Sequence, residues 1–482
     1  MKLHKFAFFA FAFVMCMGLC MTSCGGDDET TPTEKPGEPS DPVNPTPTPQ
    51  PNPRVMTPDE QQAYLEEVAL ELNNTIRVED FDHYVDLANY LSERYGDDYD
   101  WDDVGDWVED IMEGLKSDLL GTSTKTEKEE SMWGTYVYNY IYNNYKATIL
   151  ASNFKGHWTA RDGKWQYSDA DDIQFIFTNE KQQECVLRLA TSGKVVPVHL
   201  FNLDDWIEDE WDEVSDRNYV SNEYYDRTAY TIGVPQKIEV TLTEDGKSLI
   251  RHSMDIDLAS LSGEEFDLSK SSISFNSTTT MNNGYTVNTR NVKYTASSAS
   301  TQVALTKNNV QLMALTFSTD LKNVPSKSLT DWYDMDDDEI EEQFDNATAT
   351  SAAFAIDFLG KVQVKATIND IHKLADELDN ADENEQNESA FKRAIERANT
   401  YYSAHLYYNG WTEEQATVTL EPFKDYEWSN NGRTETYWDA EPIIIFPNGA
   451  SYSFDEYFTE DAFKDLIDAI EDQGDTAEDM WD

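Results

Sequence analysis

The sequence predicts an α+β protein, in which an N-terminal helical segment packs with a large antiparallel sheet and a C-terminal α+β segment follows. Apolar residues recur at helical spacing from residue 57 to about 150, and from about residue 154 the period changes to two. Hairpins with short polar turns then recur, without the strand-helix-strand alternation of doubly wound α/β folds. Dinucleotide-binding chemistry on a parallel sheet is therefore not expected.

Residues 1–23 predict a bacterial signal peptide. Lys2 and Lys5 precede an apolar run that extends from Phe6 to Met21 and ends in small polar residues. This run is shorter than the about 20 apolar residues that a membrane-spanning helix needs. We therefore expect export and removal of this segment.

The sequence Met-Thr-Ser-Cys at residues 21–24 resembles the lipobox of bacterial lipoprotein precursors. The resemblance implies cleavage before Cys24 and acylation of Cys24 by fatty acids such as palmitate. Each buried CH₂ contributes about 0.8 kcal/mol, so several acyl chains would make the membrane anchor effectively permanent. The alternative is a soluble secreted protein that is cleaved near Ser23.

Asp27, Asp28 and Glu29 follow two glycines and look like the acidic export tag of lipoproteins of the Bacteroidota. The tag implies an outer-membrane, lipid-anchored protein that faces the extracellular side. Residues 30–53 are dominated by Pro and Thr, a composition that favours polyproline II. We expect residues 24–56, the lipidated Cys with this stalk, to hold the folded part away from the bilayer.

The chain of 482 residues is strongly acidic, with 36 Lys and Arg against 93 Asp and Glu and a formal net charge of -57. Nucleic acids would be repelled, which excludes them as partners. The 26 Tyr, 22 Phe and 12 Trp are too many for a disordered acidic tail. We expect a folded protein that contacts the membrane only through its lipid anchor and that binds a glycan or another protein.

Residues 57–150 are expected to form the helical segment. Thr57 is a typical N-cap, and it is followed by Pro58 at the first helical position and by acidic residues in the first turn. Apolar residues at helical spacing predict three helices, which cover residues 64–72, 81–91 and 101–119. Residues 132–150 are rich in Tyr and fit either a helix or a strand.

Residues 151–370 are expected to form an antiparallel β-rich domain. Apolar and polar residues alternate on both sides of Asp162-Gly163 and of Asp245-Gly246, which predicts two hairpins. Further strands are expected at 272–279, 285–296, 301–306, 309–318 and 353–368. The acidic stretch 203–230 is rich in Trp and Tyr, and we expect it to interrupt the sheet.

Residues 371–482 are expected to form the C-terminal α+β segment. Periodicity predicts helices over 371–380 and 388–406 and strands near 416–421 and 442–446. A last apolar stripe lies within residues 454–470.

Two stretches look like uncharacterised surface lipoproteins of gut Bacteroidota. They are residues 153–158 with the hairpin that follows them, and residues 442–446 running on to residue 460. Together with the lipobox and the acidic tag, this likeness spans much of residues 60–470. Because those proteins have no established activity, the resemblance implies a class of protein and no catalytic residues.

Acidic residues between positions 98 and 109 have the spacing of an EF-hand loop, which surrounds Ca²⁺ with oxygen atoms. They are Asp98, Asp100, Asp102, Asp106 and Glu109. Asp103 stands where such a loop needs Gly, and neighbouring apolar residues already form a helical face. The competing interpretation is thus that these acidic residues form the first turns of a helix. Ca²⁺ is the one cofactor that the sequence suggests.

Aromatic side chains are the main indication of a ligand. Trp and Tyr rings offer flat faces to sugar C–H groups and an N–H or O–H to sugar hydroxyls, so a surface protein rich in both is suited to glycans. The candidates are Trp206, Trp211, Tyr224 and Tyr225, and further Trp411, Trp428 and Trp438. The competing interpretation places most of these residues in the core.

No motif identifies a catalytic centre, since G-x-S-x-G, H-E-x-x-H, Walker and G-x-G-x-x-G sequences are absent. Cys185 and His252 lie in alternating runs and are expected to be core residues. We interpret the chain as an outer-membrane, surface-exposed lipoprotein that acts as a non-catalytic binding or structural module. The alternatives are a glycan-binding accessory of a polysaccharide-uptake system, a hydrolase with a carboxylate pair, and a fimbrial subunit that exchanges a strand.

Overall fold

The computed structural model describes the folded part of the chain. The described residues are 55–95, 101–118, 123–131, 134–207, 220–258, 267, 269–328, 331, 335, 348–430, 433–459 and 461–479. The predicted signal peptide, Cys24, the acidic tag and most of the stalk lie outside these residues. Asp98, Asp100 and Trp211 lie outside them as well.

The fold is α+β, as predicted, with helices and a large, mostly antiparallel, open sheet. The described helices are α1 Pro58–Thr75, α2 Asp82–Tyr95, α3 Asp102–Leu115, α4 Ile371–Asp382, α5 Glu388–Ala398, α6 Phe454–Tyr457 and α7 Lys464–Asp479, with 3₁₀ turns at Val78–Phe81 and Ala151–Asn153.

The described strands fall into two sets. Those before residue 260 are β1 Lys116–Asp118, β2 Ser123–Ser131, β3 Gly134–Leu150, β4 Gly156–Arg161, β5 Lys164–Ser168, β6 Ile173–Thr178, β7 Glu184–Ile207, β8 Val220–Glu244 and β9 Lys247–Asp257. The later strands are β10 Ile273–Met281, β11 Tyr285–Thr295, β12 Ser298–Lys307, β13 Val310–Lys322, β14 Thr348–Phe358, β15 Val362–Ile368, β16 Tyr402–Tyr408, β17 Ala416–Asn430, β18 Arg433–Ile445 and β19 Ser451–Ser453.

The chain divides into two compact units. The central unit comprises Glu93–Ile273 and Val324–Asn346, and the terminal unit comprises Met1–Ser92, Ser274–Asn323 and Ala347–Asp482. Each unit therefore joins segments that are distant in the sequence.

In the central unit, β7 and β8 form a long antiparallel pair. Beyond β7 the order continues through β6 and β4 to β5, with β4 and β6 parallel. The far edge of β8 pairs first with β3, in parallel, and then with β9. Strands β1 and β2 pair with β3.

The two predicted hairpins of the central unit are confirmed. Asp162 and Gly163 join β4 to β5 with φ angles of 54° and 88°, and Asp245 and Gly246 join β8 to β9 with 46° and 73°. Two successive positive φ angles match the right-handed twist of the flanking strands, and Asp-Gly tolerates them at little cost. Local turn chemistry thus fixes both registers.

Two predictions for the central unit are wrong in their bounds. The helical segment ends at Leu115 and not near residue 150, because Lys116–Asp118, Ser123–Ser131 and Gly134–Leu150 form β1 to β3. The stretch 203–230 does not simply interrupt the sheet, since β7 continues to Ile207 and β8 starts at Val220. In both cases long-range pairing with β8 extends strands whose sequences show no clear alternation of apolar and polar residues.

The terminal unit is an antiparallel meander in which β11 to β19 pair in sequence order. The prediction of one strand over residues 353–368 is wrong, because a turn at Leu359 and Gly360 divides it into β14 and β15. The helix predicted over residues 388–406 ends at Ala398, where β16 soon follows.

Helix α1 begins with the predicted cap. The Thr57 hydroxyl accepts from the N–H of Glu60, and the Glu60 carboxylate accepts from the N–H of Thr57, a reciprocal capping box. Val68 of α1 packs with Val362 and Tyr408 in the core of the terminal unit. The predicted packing of an N-terminal helix against the sheet is thereby confirmed for α1.

Candidate functional site

The outer face of the β17–β18 hairpin carries an exposed group of aromatic side chains. Tyr426 pairs with Tyr437 in the antiparallel register, while Trp428 pairs with Glu435 and Phe423 with Asp439. Directly opposed residues share one face of a sheet, and so do alternate residues of a strand. Phe423, Tyr426, Trp428 and Tyr437 therefore share a face, which we call the aromatic face.

The opposite face of this hairpin is covered by helices. Trp438 and Ala440 pack on a cluster of buried residues from α4 and α5, including Phe391 and Ile395. The ammonium of Lys392 lies 4.5 Å from the centroid of the Trp438 ring, a cation–π contact. Because α4 and α5 occupy one side of the hairpin, the aromatic face is turned away from them.

Two side chains of the aromatic face remain half exposed, Tyr426 at 51% and Trp428 at 50%. Soluble proteins tolerate single exposed apolar residues, but several together commonly indicate an interaction site. Successive same-face residues of a strand stand about 7 Å apart, so Tyr426, Trp428 and the opposed Tyr437 form one contiguous surface.

The rings of Tyr426 and Tyr437 are stacked, with centroids 4.3 Å apart and planes 10° from parallel. Partial desolvation raises the pKa of the Tyr437 hydroxyl, and the nearby Tyr426 hydroxyl and Glu435 carboxylate raise it further. The Tyr437 phenol therefore stays protonated at neutral pH and can donate a hydrogen bond. Each ring keeps one flat side away from its partner.

Carboxylates flank the aromatic face. Glu421 and Glu441 oppose each other in the register, and Glu435 and Asp439 lie between them and the hairpin end. Glu421 and Asp439 are exposed, and Glu435 and Glu441 are half-buried. Carboxylate oxygens accept two hydrogen bonds readily, so this surface combines flat apolar rings with strong acceptors.

The sequence-predicted aromatics have mixed outcomes. Tyr225 of the central unit stacks on Tyr142, with centroids 5.2 Å apart, and Trp206 opposes Tyr225 in the β7–β8 register. The side chains of Trp206 and Tyr224 lie outside the described residues. Trp411 packs on the core around Val68, so of the further candidates Trp428 is the exposed one.

Sequence reasoning missed Phe423, Tyr426 and Tyr437. The signal for Tyr426 and Tyr437 is present, because a two-residue turn at the Asn-Gly pair of residues 431 and 432 would place these two positions opposite each other. That pattern predicts a hairpin with aromatic residues opposed across it. Phe423 has no such signal, because a β-bulge separates it from Tyr426.

The predicted calcium ligands do not form a loop where they are described. Asp102, Asp106 and Glu109 lie within helix α3, whose backbone cannot wrap around an ion as the EF-hand loop does. The neighbouring Asp103, which is not one of the predicted ligands, pairs with Lys164 across 2.9 Å. Throughout the described part of the chain, no group of three or more His, Cys, Asp or Glu side chains could hold a metal ion.

An open pocket of about 420 Å³ lies in the terminal unit. Its walls include the carboxylates of Asp59, Glu456 and Asp461 and the rings of Tyr452 and Tyr457. Glu456 is engaged in a capping box, in which its carboxylate accepts from the N–H of Ser453. The pocket thus brings carboxylates and aromatic rings together, which is a lining that the hydrolase alternative requires.

Asp172 forms a polar cluster in the central unit. Its carboxylate accepts from Arg188 Nε at 2.7 Å and from Gln174 Nε2 at 3.0 Å, and it lies 2.8 Å from His157 Nε2. The hydrogen bonds from Arg188, Gln174 and His157 hold the pKa of Asp172 well below its usual range. Since these residues lie on or beside β4, β6 and β7, the cluster ties three strands together.

Cys185 is fully buried, as predicted, and burial raises the pKa of its thiol to about 11. His252 is half-buried, and desolvation lowers the pKa of its ring. Cys185 is therefore a core side chain, whereas His252 lies at the margin of the core.

Among the described helices, none combines the length and the apolar character that crossing a bilayer requires. Comparisons of the chain with protein-family models, with curated proteins and with solved structures find no match.

Proposed function

We propose that the protein is a non-catalytic, surface-displayed lipoprotein that binds carbohydrate through the aromatic face of its β17–β18 hairpin. The observation that carries this proposal is the exposure of Tyr426 and Trp428, at about half of their surface each, on a hairpin whose other side is packed against helices.

The chemistry of the aromatic face suits sugars. The C–H groups on one side of a pyranose form a flat apolar surface that packs on Trp and Tyr rings, and neighbouring carboxylates accept hydrogen bonds from sugar hydroxyls. The stacked pair of Tyr426 and Tyr437 restrains both rings, so little side-chain entropy is lost on binding. Trp428 extends the surface along the strand.

The proposed setting supports the same function. Under our proposal, acylation of Cys24 anchors the chain to the outer membrane, and the Pro-rich stalk holds the aromatic face at the cell exterior, where polysaccharides are met. Many copies on one cell would bind a polymer multivalently, so modest affinity per site is sufficient.

Affinity electrophoresis through gels that contain neutral polysaccharides tests this function. We expect wild-type protein to be retarded by at least one polymer, and Trp428→Ala to weaken that binding by about 10-fold or more, as for central aromatic residues of other interfaces. Phe317→Ala is the matched control, because Phe317 is an exposed aromatic residue on β13 of the same unit, away from this hairpin.

Circular dichroism must show that both variants are folded. Binding by Trp428→Ala that equals wild-type binding would refute the proposal, and so would the absence of retardation by every polymer. Release of new reducing ends from a bound polymer would contradict the non-catalytic part of the proposal and favour a hydrolase.

A further inference from the structure

The aromatic face is surrounded by negative charge. Four carboxylates share its side of the hairpin, from Glu421, Glu435, Asp439 and Glu441, and Asp425 lies in the bulge beside Tyr426. Lys424 is engaged with Glu427 on the helix-facing side. Arg433 occupies a same-face position at the hairpin end, so acidic residues outnumber basic ones at the register positions of this face.

These charges act at short range on anything that touches the rings. Neighbouring same-face residues lie about 5–7 Å apart, within the Debye length of about 8 Å at physiological salt. The net charge of -57 adds a repulsive field over the whole protein. An anionic sugar on Tyr426 or Trp428 would therefore be repelled by carboxylates that a neutral sugar can use as hydrogen-bond acceptors.

We infer that the carboxylates around the aromatic face restrict its ligands to uncharged glycans and exclude glycans that carry carboxylate or sulfate groups. This inference rests on the proposed carbohydrate-binding function and names the substrate class of the same site. The four carboxylates act as positioning groups for neutral hydroxyls and as a barrier to anions.

Pairs of polymers that share a backbone and differ in charge test the inference. Hydroxyethylcellulose is compared with carboxymethylcellulose, and methyl-esterified galacturonan with the de-esterified chain. We expect the uncharged member of a bound pair to bind about 10-fold more tightly or better at low salt, with the ratio falling as salt screens the charges.

The four-residue variant keeps every aromatic ring and removes four charges, by Glu421→Gln, Glu435→Gln, Asp439→Asn and Glu441→Gln. Its affinities for the charged and the uncharged polymer of a pair should differ by no more than a few-fold. The control variant carries Glu67→Gln, Asp82→Asn, Asp86→Asn and Glu93→Gln, which remove the same charge from exposed positions of α1 and α2. It should retain the full preference, which separates a local effect from the overall charge.

Four results would overturn the inference. If wild-type protein binds both members of a pair equally, the charge barrier is absent while carbohydrate binding stands. If the preference survives in the four-residue variant, or is lost equally in the control variant, the carboxylates of this face are not its cause. If no polymer of either kind is bound, the inference fails together with the proposed function.

Discussion

Asp80 should be one of the most sensitive polar residues of the terminal unit. Its carboxylate accepts from the Tyr285 hydroxyl at 2.7 Å and from the Lys307 ammonium at 2.5 Å, and both donors also reach the carbonyl oxygen of Thr75. The Lys307 side chain is only 18% exposed and that of Asp80 is 28% exposed. The group thus joins the segment after α1 to β11 and β12.

Replacing Asp80 by Asn removes the charge and keeps the shape. A hydrogen bond to a charged group contributes about 1.5–3 kcal/mol, and an amide oxygen retains part of each bond, so we expect a loss of about 2 kcal/mol in the free energy of unfolding. The loss arises because the part-buried Lys307 keeps its charge without a full counter-charge.

The exposed pair of Lys361 and Glu71 is the internal standard. Their side chains are 34% and 45% exposed, and such pairs contribute about 0.5 kcal/mol. Urea unfolding monitored by circular dichroism should give a clearly lower midpoint for Asp80→Asn and a near-unchanged midpoint for Glu71→Gln. Equal midpoints for the two variants would refute the reasoning from burial.

The pH dependence gives a second test of the same group. Burial alone would raise the pKa of Asp80, but the hydrogen bonds from Lys307 and Tyr285 outweigh burial and lower it. A lowered carboxyl pKa stabilises the fold above the unfolded value of about 3.9, and this contribution is lost as the pH falls through the folded value. The difference between wild type and Asp80→Asn should therefore shrink below about pH 4.

Two further outcomes are expected in the central unit. Because Arg188 lowers the pKa of Asp172, Asp172→Asn should reduce the melting temperature at neutral pH and have progressively less effect below about pH 4. A difference in melting temperature between wild type and variant that does not change with pH would contradict this. Because Cys185 is buried and its thiol pKa is raised to about 11, a thiol reagent should modify it slowly in the folded protein and rapidly in guanidinium chloride. The Cys185→Ala variant gives the background rate, and fast modification of the folded wild-type protein would show that the thiol is accessible.

The fold class and the best-defined hairpins could be predicted because their determinants are local. The Asp-Gly turns at 162–163 and 245–246 carry their own backbone preference, and the alternation beside them spans several residues. The cap of α1 is likewise a four-residue signal, from Thr57 to Glu60.

The strands between residues 116 and 150 could not be predicted in the same way. Strand β3 pairs in parallel with β8, so that Ala147 lies beside Tyr230, far along the chain. The Tyr-rich sequence is compatible with a helix or with a strand. Pairing with β8 decides for the strand, and no local pattern in the sequence indicates that partner. Tertiary pairing overrides local preference in this region.

The candidate site shows the same division between local and long-range determinants. Trp428 could be named from chemistry alone, but Tyr437 and Trp438 are adjacent, and the sequence does not say which of them faces the core. Helices α4 and α5 decide this by covering Trp438. Exposure of the aromatic face is therefore a property of the packed unit.

A β-bulge completes the surface. The register shifts between Lys424 and Tyr426, so Asp425 is the extra residue and Tyr426 falls on the same side as Phe423. In a regular strand Phe423 would share its face with Asp425 and Glu427, and Tyr426 would turn toward the helices. Pairing Asp425 into a regular ladder would thus exchange acidic and aromatic residues between the two faces, because a shift of one residue inverts every side chain beyond it. Deleting Asp425 would instead remove the bulge and leave Tyr426 and Trp428 on the side of Phe423. With Asp425 in the chain, the bulge, rather than the number of aromatic residues, is what brings Phe423, Tyr426 and Trp428 to one surface.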